Sequence, residues 1–210
     1  MTIGQIVILI VGGLVALGVC QRVLDRMRLT DRQAILIAVF LFIGGFLPEI
    51  SLGNVKINLG GAVIPFLLSV YLLIKADAGY ERVRAIAASF SVAAAVLALG
   101  RFFPDEPETM LFDINYLYGL AAGVIACLFA RSRRAAFIAG AMGVLIADIA
   151  EGAIVNFSGV SQTVNLGGAG AVDVIVIAAV TAVLVRELAG EFLERCMRGS
   201  KTAAAGGKGK

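Results

Sequence analysis

The sequence predicts an all-α membrane protein with seven transmembrane helices. Three observations lead there. Of the 210 residues, 60% are hydrophobic and only 16% are charged. The mean hydropathy is +0.94. The apolar residues fall into seven runs separated by short, mostly basic segments. A soluble domain is nearer ~45–50% apolar with ~25% charge, so a soluble enzyme and a disordered chain are both excluded. With His 0, a mechanism that needs an imidazole base or a His ligand is excluded as well. Cys 3 is too few for a two-disulfide scaffold or a four-thiolate zinc site, so neither metal nor cofactor is expected.

A spanning helix needs ~20 mostly apolar residues, within a range of about 17–25. Residues 3–20 form the first such run. The absence of a basic n-region before it, and Arg22 just after it, argue for a retained helix over a signal peptide. The second run covers 34–47 and closes at Pro48, the third 59–74, and the fourth 85–100. The fifth, 110–130, carries Asp113. The sixth, 135–150, carries Asp148, and the seventh, 168–185, carries Asp173. Pro65 predicts a kink in the third.

Lys and Arg collect in cytoplasmic loops. Arg22, Arg26, Arg28 and Arg32 follow run one, and Lys75, Arg82 and Arg84 follow run three. Arg131, Arg133 and Arg134 follow run five, and the remaining cluster from Arg186 to Lys210 follows run seven. Of the 18 basic residues, only Lys56 and Arg101 fall elsewhere. This bias predicts a multi-pass protein of the cell inner membrane, N-terminus outside and C-terminus cytoplasmic. The acidic turn Pro104–Glu108 then lies outside. Cys20, Cys127 and Cys196 lie near the reducing side, which predicts no disulfide. Past run seven, Leu188, Phe192 and Cys196 recur every four residues, as in an amphipathic helix along the inner leaflet, and residues 203–210 read as a disordered tail.

The segment Asn58-Leu59-Gly60-Gly61-Ala62 recurs as Asn165-Leu166-Gly167-Gly168-Ala169. Each copy follows a short loop with strand-like alternation and opens an apolar run. Residues 32–49 and 134–151 run in parallel upstream, each from Arg to Glu. This reads as a duplication: residues 1–75 a first three-helix repeat, 76–109 a linker helix and exterior turn, 110–186 a second repeat, and 187–210 the amphipathic segment and tail. An odd linker makes the two repeats parallel, an architecture known in transporters such as the SWEET proteins, to which there is no sequence resemblance. The loops at 49–58 and 152–165 read as hairpins or re-entrant segments packed over the bundle, because non-helical backbone at the membrane must be covered by protein or water. The glycine pairs allow a turn or close helix packing.

On these residues, a resemblance to a known family can be stated. The stretch Gly53–Leu73, with its Ile-Asn-Leu-Gly-Gly-Ala-Val-Ile-Pro core, resembles an uncharacterised group of bacterial and archaeal multi-pass membrane proteins, domain-of-unknown-function family 1614. The Gly-rich segment ending in Asp173 is similar to the corresponding segment of that group. The resemblance covers most of residues 30–185 and implies no activity.

Carboxylates inside the bilayer cost roughly 2.5–3.5 kcal/mol on insertion scales and are functional candidates by default. Asp148 lies about 21 Å beyond Arg134, and Asp173 about 20 Å before Arg186, at ~1.5 Å per residue. The two therefore sit at similar depth on consecutive helices. Asp148 and Glu151 are i,i+3 and share a face. Asp113 lies higher and, like Glu49 and Glu151, near the outer edge. This predicts an outer-leaflet carboxylate pocket with Asp148 and Asp173 deepest and Asp113, Asn115, Tyr116, Asn58 and Asn165 around its rim. A plainer reading makes Asp113 a helix cap and the two glutamates solvated interfacial groups.

Three function classes follow. The first is a small transporter linked to a proton or small cation, with Asp148, Asp173 and Asp113 binding the ion and Asn58 and Asn165 contacting substrate. The second is an intramembrane aspartyl protease using Asp148 and Asp173, or Asp113. Residues 112–119 faintly resemble the Tyr-Asp segment of presenilin-type proteases, but the Gly-x-Gly-Asp partner has two extra residues here, in Gly168-Ala169-Gly170-Ala171-Val172-Asp173. The third is a scaffold or lipid-binding protein. The expected partner is the lipid bilayer, with a homo-oligomer allowed and no nucleic acid.

Overall fold

A computed structural model describes residues 3–76, 78–102, 114–157, 163–167 and 174–206. Asp113, Asp173, the acidic turn at 104–108 and residues 207–210 lie outside them, as do the side chains of Asn115 and Cys196. The chain is predominantly helical with one small sheet. The elements are α1 (Ile3–Ala16), α2 (Gln21–Met27), α3 (Asp31–Gly44), β1 (Ile50–Leu52), β2 (Val55–Ile57), a π-helical turn (Leu59–Val63), α4 (Ile64–Ile74), α5 (Gly79–Phe102), α6 (Ile114–Phe129), α7 (Arg133–Phe157), β3 (Val164–Leu166) and α8 (Val174–Gly206).

Every apolar run of the sequence holds a helix. By length and composition, α5 and α7 are able to cross a membrane. Residues 6–16 of α1 pass the same test together with α2, although the two are bent 96° apart. The bend sits at Gly18, whose φ of +74° favours a residue without a Cβ. A further short helix, α2, thus occupies what the sequence reads as a basic loop, and Leu24 and Met27 bury its inner side. The Thr30 hydroxyl accepts from the Gln33 N–H at 3.3 Å, and the Gln33 side chain accepts from the Thr30 N–H at 3.1 Å, so α3 opens on a capping box.

The core is a cluster of α5, α6, α7 and α8, with α4 packed on α7 and the α1–α3 pair alongside. It is built mainly from small residues: Ala122, Ala126, Ala136, Ala139, Ala178 and Ala182 are wholly or almost wholly buried. Without Cβ atoms, Gly123 admits the Thr181 side chain and Gly140 the backbone of Ala178 and Ala179. Helices packed this closely hold by van der Waals contact, the force that remains where lipid supplies no hydrophobic drive. Leu72, Val92, Ile138 and Ile175 are buried with the alanines, while many other large apolar side chains face outward, among them Leu36, Phe40, Leu67, Phe90 and Leu128.

The loop at 49–58 is a hairpin, as the sequence predicts. Leu52 pairs with Val55 around Gly53, which has φ +63°. Strand β3 then adds to β2 in parallel, with Val55 opposite Val164, Lys56 opposite Asn165 and Ile57 opposite Leu166. Asn58 to Gly61 of the first Asn-Leu-Gly-Gly-Ala segment and Asn165 to Gly167 of the second are therefore brought side by side. The Asn58 N–H donates to the Leu166 carbonyl at 3.1 Å. The helices around them do not pack alike: α6 lies chiefly against α8, whereas α1 lies chiefly against α3.

Pro65 does not kink a helix interior. It sits at the start of α4, just after the π-helical turn. Lacking an N–H, it cannot bond the Gly61 carbonyl, which fits the wider winding just before it. The Ser69 hydroxyl donates to the Pro65 carbonyl at 2.8 Å. After Val185 the chain continues as the same helix, α8, through Gly206. The amphipathic segment is thus an extension of the seventh apolar run, and residues 203–206 are helical where the Gly- and Ala-rich composition predicts disorder.

The backbone contact between the two Gly-containing segments yields a stability test. A Cβ on Gly61 would overlap the Gly167 carbonyl oxygen, and one on Gly44 would stand 2.8 Å from the Gly60 Cα. Overpacking of this kind typically costs ~1–3 kcal/mol. Gly61→Ala and Gly44→Ala should lower the thermal midpoint in detergent clearly. Gly13→Ala, with nothing within 4 Å, should leave it unchanged or raise it.

Candidate functional site

The sheet end of the bundle holds a cavity of about 180 Å³ lined by Asp148, Glu151, Gly152 and Val155 of α7 and by Thr163, Val164 and Asn165. Two elements form it. On α7, Asp148, Glu151 and Val155 recur at three- and four-residue spacing and share one helical face. Facing them, β3 is held in place by β2 and by a notch in α7. Gly152 is buried, and a Cβ there would lie 2.5 Å from the Val164 methyls. A side chain at position 152 would push the strand away and open the wall.

Chemically the lining is two carboxylates, one hydroxyl and one amide, with no Lys or Arg among them. The volume is well above the ~10–15 Å³ that a single water needs. Asp148 is half-buried and Glu151 exposed, so the cavity grades from protein to solvent along α7. Lys56 stands opposite Asn165 in the strand register but is not one of the lining residues.

Of the residues singled out in the sequence, Asp148 and Asn165 meet at this cavity together with Glu151. Asp113 and Asp173 lie outside the described residues. Asn58 takes a different position. It is 1% exposed and caps the π-helical turn, its Oδ1 accepting from the Gly61 N–H at 2.9 Å. That bond fixes the amide orientation and leaves Nδ2 buried without a hydrogen-bond partner among the described residues. Gly152, Val155 and Thr163 were not singled out from the sequence. Gly152 and Val155 were within reach of the spacing argument, being i+4 and i+7 from Asp148. Thr163 depended on knowing that its strand docks on α7.

The opposite end of the bundle carries the basic residues, as the loop pattern predicts. Arg22 pairs with Glu191 at 3.2 Å and Arg26 with Glu194 at 3.5 Å. Arg133 pairs with Glu187, both largely buried, and Arg134 with Glu81 at 3.5 Å. Ser132 donates to the other oxygen of Glu81 at 2.6 Å. Arg82 and Arg134 also close helix C-termini. Arg82 donates to the Ile74 and Ala76 carbonyls at 3.2 and 3.0 Å, and Arg134 to that of Lys75 at 2.9 Å.

The model of a family described as protein of unknown function (DUF1614) matches residues 10–185. No curated protein and no solved structure matches the chain. The chain belongs to that family, as the resemblance of its Gly-rich segments implies.

The Asn58 geometry separates two effects of one side chain. Replacing an N-cap Asn by Ala typically costs ~0.5–2 kcal/mol, whereas Ser caps about as well as Asn. Asn58→Ser keeps an acceptor for the Gly61 N–H and deletes the stranded Nδ2. It should unfold within about 1 kcal/mol of the parent, and Asn58→Ala should be the less stable of the two. Chemical unfolding in detergent checks the order.

Proposed function

We propose that this member of the family is a multi-pass inner-membrane protein that carries a proton or small cation through a pocket built on Asp148. The cavity between α7 and β3 carries this reading. It brings two carboxylates one helical turn apart, adds a hydroxyl and an amide oxygen, and has no basic side chain in its lining. Like charges on neighbouring turns repel, and an entering cation or proton relieves that repulsion. A carboxylate at membrane depth is costly to place there, which makes it a functional candidate by default.

In this proposal the seven apolar runs all cross or enter the bilayer, with the N-terminus outside and the arginine-rich end cytoplasmic. The sheet caps the outer face, and the cavity opens to that side. Asp148, deeper along α7, holds the ion, and Glu151 at the mouth attracts it. Asn165 of β3 and Thr163 just before the strand supply neutral oxygens. Asp173 and Asp113 belong to the same pocket in this scheme. The two Asn-Leu-Gly-Gly-Ala segments derive from one duplicated unit whose second copy took on the ion chemistry.

The test is flux into proteoliposomes holding purified protein and a pH-sensitive dye, under imposed proton, sodium and potassium gradients. Asp148→Asn should reduce the flux at least about tenfold, and Glu151→Gln should raise the half-saturating ion concentration with a smaller effect on the maximal rate. Flux that is indifferent to Asp148→Asn, or absent from the parent under every gradient, removes the carrier reading.

A further inference from the structure

We infer that the basic end of the bundle binds the phosphate of an anionic phospholipid at Arg84, Arg131 and Arg186, around the C-terminus of α6. The inference rests on the reading that the chain spans a bilayer, but not on any role for the cavity.

The basis is an imbalance of charge. At this end four glutamates are matched to four arginines: Glu81 with Arg134, Glu187 with Arg133, Glu191 with Arg22 and Glu194 with Arg26. Arg84, Arg131 and Arg186 have no carboxylate partner among the described residues. Arg84 Nε donates to the Phe129 carbonyl at 3.3 Å, and its Nη1 lies 3.2 Å from the Tyr80 hydroxyl. Arg186 Nη2 donates to the Arg131 carbonyl at 2.8 Å. Arg131 itself is exposed, and among the described residues its backbone carbonyl alone is engaged. Two guanidinium groups are therefore anchored on carbonyls two residues apart, at a helix end that Arg131 itself also charges. The partial charge of that end, about half a unit, offsets only a fraction of theirs.

The surroundings decide which anion fits. Gly119 of α6 packs on Ile177 of α8, and Gly123 packs on Thr181, so the two helices run parallel. That register places Leu128 level with Leu184 and Leu188. These three are 76%, 53% and 66% exposed. Arginines with no carboxylate partner among the described residues, at the helix end that carries outward-facing leucines, match a molecule with a phosphate head and an acyl tail. Arginine forks suit phosphate oxygens in particular. A free phosphate would use the arginines and gain nothing from the leucines.

The experiment follows thermal unfolding by circular dichroism in detergent micelles while lipid is added. Palmitoyl-oleoyl phosphatidylglycerol should raise the midpoint in a saturable way. Phosphatidylcholine with the same chains, and inorganic phosphate at equal concentration, should not. Arg131→Gln removes a cation and no hydrogen bond, so it should fold normally and weaken the phosphatidylglycerol response at least about tenfold in concentration, as expected for one lost charge-assisted contact. Arg186→Gln also loses its bond to the Arg131 carbonyl, so its response is read as the increment over its own lipid-free midpoint. Arg101→Gln, at the other end of α5, should respond like the parent. An equal response to phosphatidylcholine or to inorganic phosphate overturns the inference, and so does an undiminished response in both Arg131→Gln and Arg186→Gln.

Discussion

The architecture depends on a place where two backbones touch with no side chain between them. Gly61, in the π-helical turn, meets Gly167, which has φ +82° and follows β3 directly. Neither position tolerates a Cβ, the first for want of space and the second on conformation as well. With that contact made, β2 and β3 lie close enough to pair, and their parallel register follows. Strand β3 is then in place to wall the cavity on α7. The carboxylates, the hydroxyl and the amide come together because two short Gly-containing segments, far apart in sequence, share one backbone contact.

The ends of the bundle solve opposite electrostatic problems. At the sheet end, polar backbone that is not helical is satisfied by strand pairing and by the Asn58 cap, which leaves Asp148 and Glu151 on a wall without cations. At the other end, arginines take up the carbonyls that helix termini leave open, and glutamates from α5 and α8 pair with Arg22, Arg26, Arg133 and Arg134. The Arg133–Glu187 pair is largely buried, so losing one partner alone would cost more than the pair itself contributes. Between the two ends many large hydrophobic residues point outward, and the interior is rich in alanines, with Leu72, Val92, Ile138, Val144 and Ile175 buried among them.

The helices were legible because seven apolar runs with basic punctuation leave little freedom in a chain this hydrophobic. The hairpin at Gly53 was legible too, from alternation around a turn residue. The short helix α2 was not, because four arginines in a row of loop-like length read as a connector, and only packing of Leu24 and Met27 makes it a helix. The continuation of α8 past Val185 was hidden in the same way: its glutamates look like a solvated face until Arg22, Arg26 and Arg133 are seen opposite them. For the cavity, Asp148 and Asn165 could be named from sequence because buried charge and a repeated motif are both local signals. The part played by Gly152 is not local. It depends on a strand that arrives from another part of the chain, and no spacing rule on α7 reveals that Val164 will fill the notch.

The parallel pairing of β2 with β3 also orders events during synthesis. The hairpin β1–β2 closes on its own residues as soon as it emerges, but its partner strand is made only after about half the chain has followed. Until α7 is inserted, β2 presents a bare edge, and the notch-side wall of α7 does not yet exist. Contacts between residues so distant in sequence form late, because loop closure must come first. The sheet therefore closes only after α7 has been made, and a chain arrested before Val164 would hold α1 to α7 but no cavity. An unlatched edge strand also invites pairing with other chains, so the interval before β3 arrives is when a growing copy of this protein is most exposed to another one.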